Sequence, residues 1–293
     1  MNEFGKGLDY AGMIMDILLL KDRYPFLEVG SIGRSVEDRD IPVIRIGVGA
    51  KHIHFNGAFH ANEWITTSLL IRFIHDYAQA YAHGNSVHGV DAKQLFDRIS
   101  LWIVPMVNPD GVELVLSKQQ EPHLQQLLEW NGGSTDFSGW KANVRGVDLN
   151  DQFPANWELE RARRQVANPA SRDYSGTSPL SEPEARAMEA FTRERDFSLV
   201  IAFHTQGEEI YWNYNDYEPV ESESIAERFA QVSGYRAVKL TGSDAGYKDW
   251  FIQEFRRPGF TVEVGVGSNP LPYSQLGDMY GKASKIMVEA LNL

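Results

Sequence analysis

Cysteine is absent from the 293-residue chain. That excludes a disulfide framework, a zinc–thiolate site, a thiol nucleophile and an iron–sulfur cluster, so any metal must be held by His, Asp or Glu. Positive charge is also in short supply: 28 Lys and Arg stand against 40 Asp and Glu, a formal net charge of −12. Such acidity argues against nucleic acid or an anionic membrane surface as partner, since both need a local excess of Lys and Arg. No apolar run is long enough to span a bilayer. The first twenty residues, MNEFGKGLDYAGMIMDILLL, lack the basic n-region and small-residue cleavage site of a secretory signal, which predicts a cytoplasmic protein. Internal repeats, low-complexity tracts and long Pro/Gly/Ser linkers are missing too, so residues 1–293 are expected to form a single domain. A chain of this length buries roughly three quarters of its extended surface and needs no covalent staple.

Helical and extended signals alternate along the chain. Trp64, Ile65, Leu69, Leu70, Phe73, Ile74 and Tyr77 recur at helical spacing, with Gly84 placed as a C-terminal cap. Ser181 and Glu184 read as a capping box ahead of Ala185, Met188 and Phe191. Further helices are expected over Tyr10–Leu20, Ser222–Val232 and Met279–Leu291. Runs rich in β-branched and aromatic residues predict strands at Val43–Val48, His52–Asn56, Leu101–Val107, Leu199–Phe203 and Phe260–Val264. This order predicts an α/β fold with a mixed sheet covered on both faces, and ligand sites of such sheets gather beyond the carboxyl ends of strands.

Polar residues at those strand ends therefore carry information. His60 and Glu63 follow the strand His52–Asn56, His204 closes the apolar run SLVIAF, and Glu263 interrupts FTVEVG. A His or Glu beside such runs meets a desolvation cost unless it is paired or metal-bound. The chemistry that unites the four is a zinc hydrolase site, with two neutral imidazoles and a carboxylate on the ion and a second carboxylate as base. A lone HxxE pair is a weak signal and depends on its company. The other histidines, His52, His54, His75, His83, His88 and His123, have no convergent carboxylate pattern and read as structural or solvated.

That company is specific. GSIGRSVEDRDIPVIRIG at 30–47, FNGAFHANEW at 55–64, IVPMVNPDGVEL at 103–114, NVRGVDLN at 143–150, IAFHTQGEEIYW at 201–212 and YKDW followed by FTVEVG together resemble the zinc carboxypeptidase family. The resemblance runs from about Leu27 to the C-terminus. It implies an eight-stranded mixed sheet flanked by helices and one zinc per chain. It makes His60, Glu63 and His204 the metal ligands, Glu263 the general base and Asn150 a holder of the substrate carboxylate. Where the family places a carboxylate-clamping arginine, directly after that asparagine, this chain has Asp151. Arg145 is then assigned to the oxyanion, the alternative being that it binds a substrate carboxylate. The position of the family's mobile tyrosine is Thr241, and Tyr247 is the nearest replacement.

The resemblance also bears on the substrate. Lys248 stands immediately before the Asp-Trp pair of the pocket wall, where a cation favours an anionic side chain. With Asp151 it would offer one positive and one negative group, which suits meso-diaminopimelate. The segments GWKANVRGVDLN and FHTQGEEIYW look like the bacterial branch that cleaves the γ-D-glutamyl bond to diaminopimelate in murein (peptidoglycan) peptides. The expected activity is that of a zinc peptidase on this bond. The rivals are a carboxypeptidase of other specificity and a zinc deacylase of small N-acyl amino acids.

Overall fold

The computed structural model describes residues 8–116 and 123–293; residues 1–7 of the N-terminal segment considered above lie outside it. The strands are β1 (Glu28–Arg34), β2 (Asp40–Ile46), β3 (Lys51–Gly57), β4 (Ser86–Val87), β5 (Val90–Asp91), β6 (Ile99–Val104), β7 (Leu199–His204), β8 (Glu209–Tyr211), β9 (Arg236–Val238) and β10 (Gly259–Glu263). Eight of them form one mixed sheet in the order β1-β2-β6-β3-β7-β10-β8-β9, while β4 and β5 make a separate hairpin. The four central strands β6, β3, β7 and β10 run parallel, with antiparallel β2 and β8 on their flanks.

Alternation along each central strand decides which helices cover which face. Ile53, Phe55, Leu199, Ile201, Phe203, Phe260 and Val262 point into a core shared with helices Tyr10–Arg23, Ile65–Ala82, Glu221–Ser233 and Leu276–Leu291. Val200 and Ala202 point the other way, into a core with helices Pro183–Arg195 and Tyr247–Phe255. His204, two residues after Ala202, belongs to this second face, and Glu263 is its register partner on β10. The predicted single α/β domain with an eight-stranded mixed sheet and helices on both faces is therefore what forms.

Differences are local. Helix Pro183–Arg195 starts without a side-chain cap: its N-cap is Glu182, and Ser181 Oγ instead donates to Gln152 Oε1 at 3.1 Å, so the expected capping box does not form. The three-residue strands β8 and β9 are too short to leave a periodic signal. Gly57 closes β3 against helix Ile65–Ala82 so tightly that a Cβ there would lie 2.8 Å from Thr66 Oγ1. That hydroxyl donates to Glu63 O at 2.8 Å and accepts from Ala58 N–H at 2.8 Å, which folds the chain sharply at the strand's carboxyl end. Among the described residues no helix is long and apolar enough to cross a membrane.

Candidate metal centre and cleft

The turn after β3 carries His60 and the 3₁₀ segment Ala61–Glu63, and Ala61 N–H donates to Lys141 O at 3.0 Å. This bond docks the 139–143 loop beside the turn, with Trp140 fully buried beneath it. Across the cleft, β7 ends at His204. His60, Glu63 and His204 come together as a buried group able to hold a metal ion, the one such cluster among the described residues.

The distances inside the cluster make the case for a cation. His60 Nδ1 lies 2.9 Å from Glu63 Oε1, His204 Nδ1 lies 3.0 Å from Glu63 Oε2, and the two Nδ1 atoms face each other at 3.3 Å. Asp148 Oδ1 sits 3.1 Å from His60 Nε2, the bond that turns the opposite nitrogen toward the cluster. Two imidazole nitrogens and a carboxylate converging this closely repel one another unless a proton or metal lies between them. Protonation is drawn to the spot: burial and the Lys141 charge oppose it, yet Glu63 and Asp148 push the His60 imidazolium up to about 9. A dicationic ion fits the same seat, and two His with one carboxylate is a catalytic zinc donor set that leaves a coordination position open.

Glu263 ends β10 alongside His204 and lines a cavity of about 430 Å³ with Lys141, Arg172, Gln206, Tyr211 and Asn269. Burial and the neighbouring Glu63 charge push its carboxyl up to about 8. The Lys141 ammonium lies 3.6 Å from Glu63 Oε1, and its side chain is 19% exposed. Arg145 does not reach this cavity. Its side chain is 54% exposed and its guanidinium lies 3.6 Å from Glu182 Oε2; the cations lining the cavity are Lys141 and Arg172, and the assignment of Arg145 to the oxyanion is corrected. The loop Asn143–Val147 turns Arg145 outward: Asn143 Oδ1 accepts from both Arg145 N–H and Val147 N–H.

Three other expected residues occupy different surroundings from those predicted. Tyr247 is fully buried, packs against Phe59, Phe153 and Trp250, and shares a 2.9 Å hydrogen bond with Thr192 Oγ1; it is part of the core, not the cleft rim. Asp151 is gripped by Arg164, whose Nε and Nη2 donate to its two oxygens at 2.8 and 3.0 Å. Burial and Asp148 nevertheless push its carboxyl up to about 7 against the pull of Arg164. Lys248 donates to Asn213 O at 2.7 Å and pairs with Asp249 at 2.5 Å, lining a second cavity of about 390 Å³. Asp151 and Lys248 are thus paired within the protein rather than presented as bare charges. Asn150 is half-buried, with its Nδ2 3.7 Å from where a Cβ on Gly246 would stand.

Sequence reasoning missed Lys141, Asp148, Thr205 and Asn269. Lys141 and Asp148 lie inside GWKANVRGVDLN, one residue after a buried Trp and two before Asn150, and that segment was the available signal.

With an HxxE pair and a strand-end His on this sheet, and a carboxylate beside them, the site is that of a zinc metallopeptidase. The zinc carboxypeptidase family model matches residues 13–280, and the chain belongs to that family. It is 50% identical over 287 residues to gamma-D-glutamyl-L-diamino acid endopeptidase 1 of Lysinibacillus sphaericus, covering 97% of this chain and 72% of that protein. Among solved structures, bovine thrombin-activatable fibrinolysis inhibitor superposes with a TM-score of 0.79 at 19% identity, over 99% of this chain and 98% of that one. Murein-tripeptide amidase MpaA from Escherichia coli O157 superposes with a TM-score of 0.57 at 20% identity, over 89% and 91%. These two likenesses speak to the fold.

Proposed function

We propose that this zinc peptidase hydrolyses the γ-D-glutamyl-meso-diaminopimelate bond of murein peptides, residues 1–293 acting as a single catalytic domain. The observation that carries the reading is the 50% identity, across nearly the whole chain, to an enzyme named for that bond. His60, Glu63 and His204 hold one zinc, which when bound acidifies a water and polarises the scissile carbonyl. Glu263 takes the proton from the attacking water as the new C–O bond forms, and returns it to the diaminopimelate nitrogen as the C–N bond breaks. Lys141, at the same cavity, provides positive charge for the carbonyl oxygen as it becomes negative. Asn150 holds a substrate carboxylate.

Recognition of the side chain is assigned to Lys248 alone. Its Cγ lies 3.5 Å from where a Cβ on Gly259 would stand, four residues before Glu263 along β10 and so roughly 13 Å from it at the rise of a strand. One Lys248 proton goes to Asn213 O and the ammonium is ion-paired with Asp249, which leaves a proton for a substrate carboxylate. Asp151, bound to Arg164, is withdrawn from the role of ammonium reader.

The test is incubation of zinc-loaded protein with L-Ala-γ-D-Glu-meso-diaminopimelate, followed by mass spectrometry. Release of L-Ala-D-Glu and diaminopimelate is expected; an intact peptide after prolonged incubation overturns the substrate. The cytoplasmic setting is part of the proposal, and recovery of the native protein only outside the cell would overturn that part.

A further inference from the structure

We infer that Asn269 is a positioning residue that sets the Glu63 carboxylate for metal binding, together with Thr205. The inference rests on Glu63 being a zinc ligand. Asn269 lies in the loop that follows β10, six residues beyond Glu263, and no motif singled it out. Its Nδ2 donates to Glu63 Oε1 at 3.2 Å and to Thr205 O at 2.9 Å, while its Oδ1 accepts from Thr205 Oγ1 at 2.6 Å. The amide orientation follows from its neighbours: turned over, its oxygen would face a carboxylate and a carbonyl, two acceptors with no proton between them.

The other Glu63 oxygen is held from the same side, since Thr205 N–H donates to Oε2 at 3.1 Å. Each carboxylate oxygen therefore meets one imidazole and one donor from the Thr205–Asn269 pair. Thr205 directly follows the ligand His204, and Asn269 belongs to the loop leaving the base Glu263. The pair thus ties three things into one unit: the carboxylate ligand, the strand end carrying the second imidazole, and the loop anchored by the base. A carboxylate held at both oxygens loses little rotamer freedom when a cation arrives, and outer groups that orient ligands in this way typically change affinity or activity 10- to 100-fold when removed. Glu63 is 1% exposed, and without Asn269 its Oε1 would keep His60 at 2.9 Å and the more distant Lys141 ammonium at 3.6 Å.

The experiment compares wild-type protein with Asn269→Ala, Thr205→Val and Glu63→Gln, each stripped of metal and titrated with zinc against a chromophoric chelator. Melting of the metal-free proteins and kcat and KM of the reloaded ones are measured alongside. Asn269→Ala is expected to weaken zinc about 10- to 100-fold and to lower kcat with KM nearly unchanged, while the metal-free melting temperature stays close to wild type. Thr205→Val, which keeps its backbone N–H on Glu63 and loses only the hydroxyl on Asn269, should weaken zinc less. A zinc affinity in Asn269→Ala equal to wild type, with a lowered metal-free melting temperature, would make Asn269 a loop staple and overturn the inference. If Asn269→Ala does not fold, Asn269→Ser, with a shorter donor, carries the same test and should lose roughly tenfold. Glu63→Gln separates the two levels. Zinc retained there overturns the ligand assignment and this inference with it, whereas zinc lost there but unchanged in Asn269→Ala overturns the inference alone.

Discussion

At the strand ends, two imidazole nitrogens face each other 3.3 Å apart over the Glu63 carboxylate, and Glu263 stands beside them with its carboxyl pushed up to about 8. Around helix Trp157–Arg164 the same kinds of group are arranged differently. Arg164 meets Asp151, Glu160 and Asp173, Arg163 meets Glu160 and Asp244, and Lys248 meets Asp249. The first region draws two imidazoles and two carboxylates toward one point, where the Lys141 ammonium, 3.6 Å from Glu63 Oε1, compensates them only in part. In the second, each charge has an opposite one within reach. Crowding with incomplete compensation marks a candidate site of chemistry, and mutual compensation marks a wall that shapes a cavity at little electrostatic cost.

The contrast is tested most severely at Glu263. Glu263→Gln keeps the size of the side chain and removes the proton acceptor, so kcat should fall about 10²- to 10⁴-fold while zinc content and melting temperature stay unchanged. Near-wild-type turnover at saturating substrate would place the base elsewhere. Lys141→Met follows, with an expected loss of about 10²–10³ in kcat, the range seen when one donor to a developing oxyanion is removed. Arg145→Met in parallel should leave kinetics as they were; the reverse outcome would restore Arg145 and remove Lys141 from the cleft.

Selectivity is a smaller effect. A peptide with L-Lys in place of diaminopimelate lacks the carboxylate proposed to meet Lys248, and a lost charge-assisted hydrogen bond costs about 1.5–3 kcal/mol, or roughly a 10- to 150-fold preference in kcat/KM. Lys248→Met should erase most of that preference. Equal kcat/KM values for the two peptides in the wild-type enzyme would return Lys248 to a purely internal pairing with Asp249.

The wall itself can be broken at Arg164. Arg164→Met leaves Asp151, 1% exposed, beside Asp148 without its counter-charge. Removing one partner of a fully buried pair costs about 3–5 kcal/mol, but Arg164 is 35% exposed and shares its charge, so about 1–3 kcal/mol is expected here. The pH dependence has a definite sign. With a folded value of about 7, above the unfolded 3.8, Asp151 contributes stability that is present below pH 4 and lost as pH rises through 7. The penalty of Arg164→Met should therefore be larger at pH 8 than at pH 5, and Asp151→Asn should flatten the difference. Melting curves at the two pH values that shift equally would remove Asp151 as the cause.

The readable part of the molecule follows from the same physics. His204 and Glu263 were legible because each interrupts or closes an apolar strand, where a polar group needs a reason to be present. Strands β3, β6, β7 and β10 were legible because they are buried on both faces and rich in β-branched and aromatic residues. Lys141 and Arg145 sit four apart in one irregular loop, and no periodicity says which of two cations faces inward; the bond from Ala61 N–H to Lys141 O decides it, and that contact joins distant parts of the chain. Tyr247 looked available because it opens YKDW and is the tyrosine nearest Thr241, whereas its place on helix Tyr247–Phe255 turns it into the aromatic layer. Asp151 was read without its partner because Arg164 arrives from a separate helix thirteen residues on.

His204 and Glu263 are register partners in adjacent parallel strands, and His60 leaves the strand on the other side of β7. Parallel pairing of strands far apart in sequence forms slowly, because long loops must close before the contacts reward it. His60 and Glu63 share one local turn, but the strand pairings bring that turn to His204 and Glu263, and a one-residue slip of β10 would turn Glu263 to the opposite face of the sheet. During refolding, recovery of peptidase activity should consequently lag behind recovery of helical signal, making hydrolysis a reporter of when the central strands find their register.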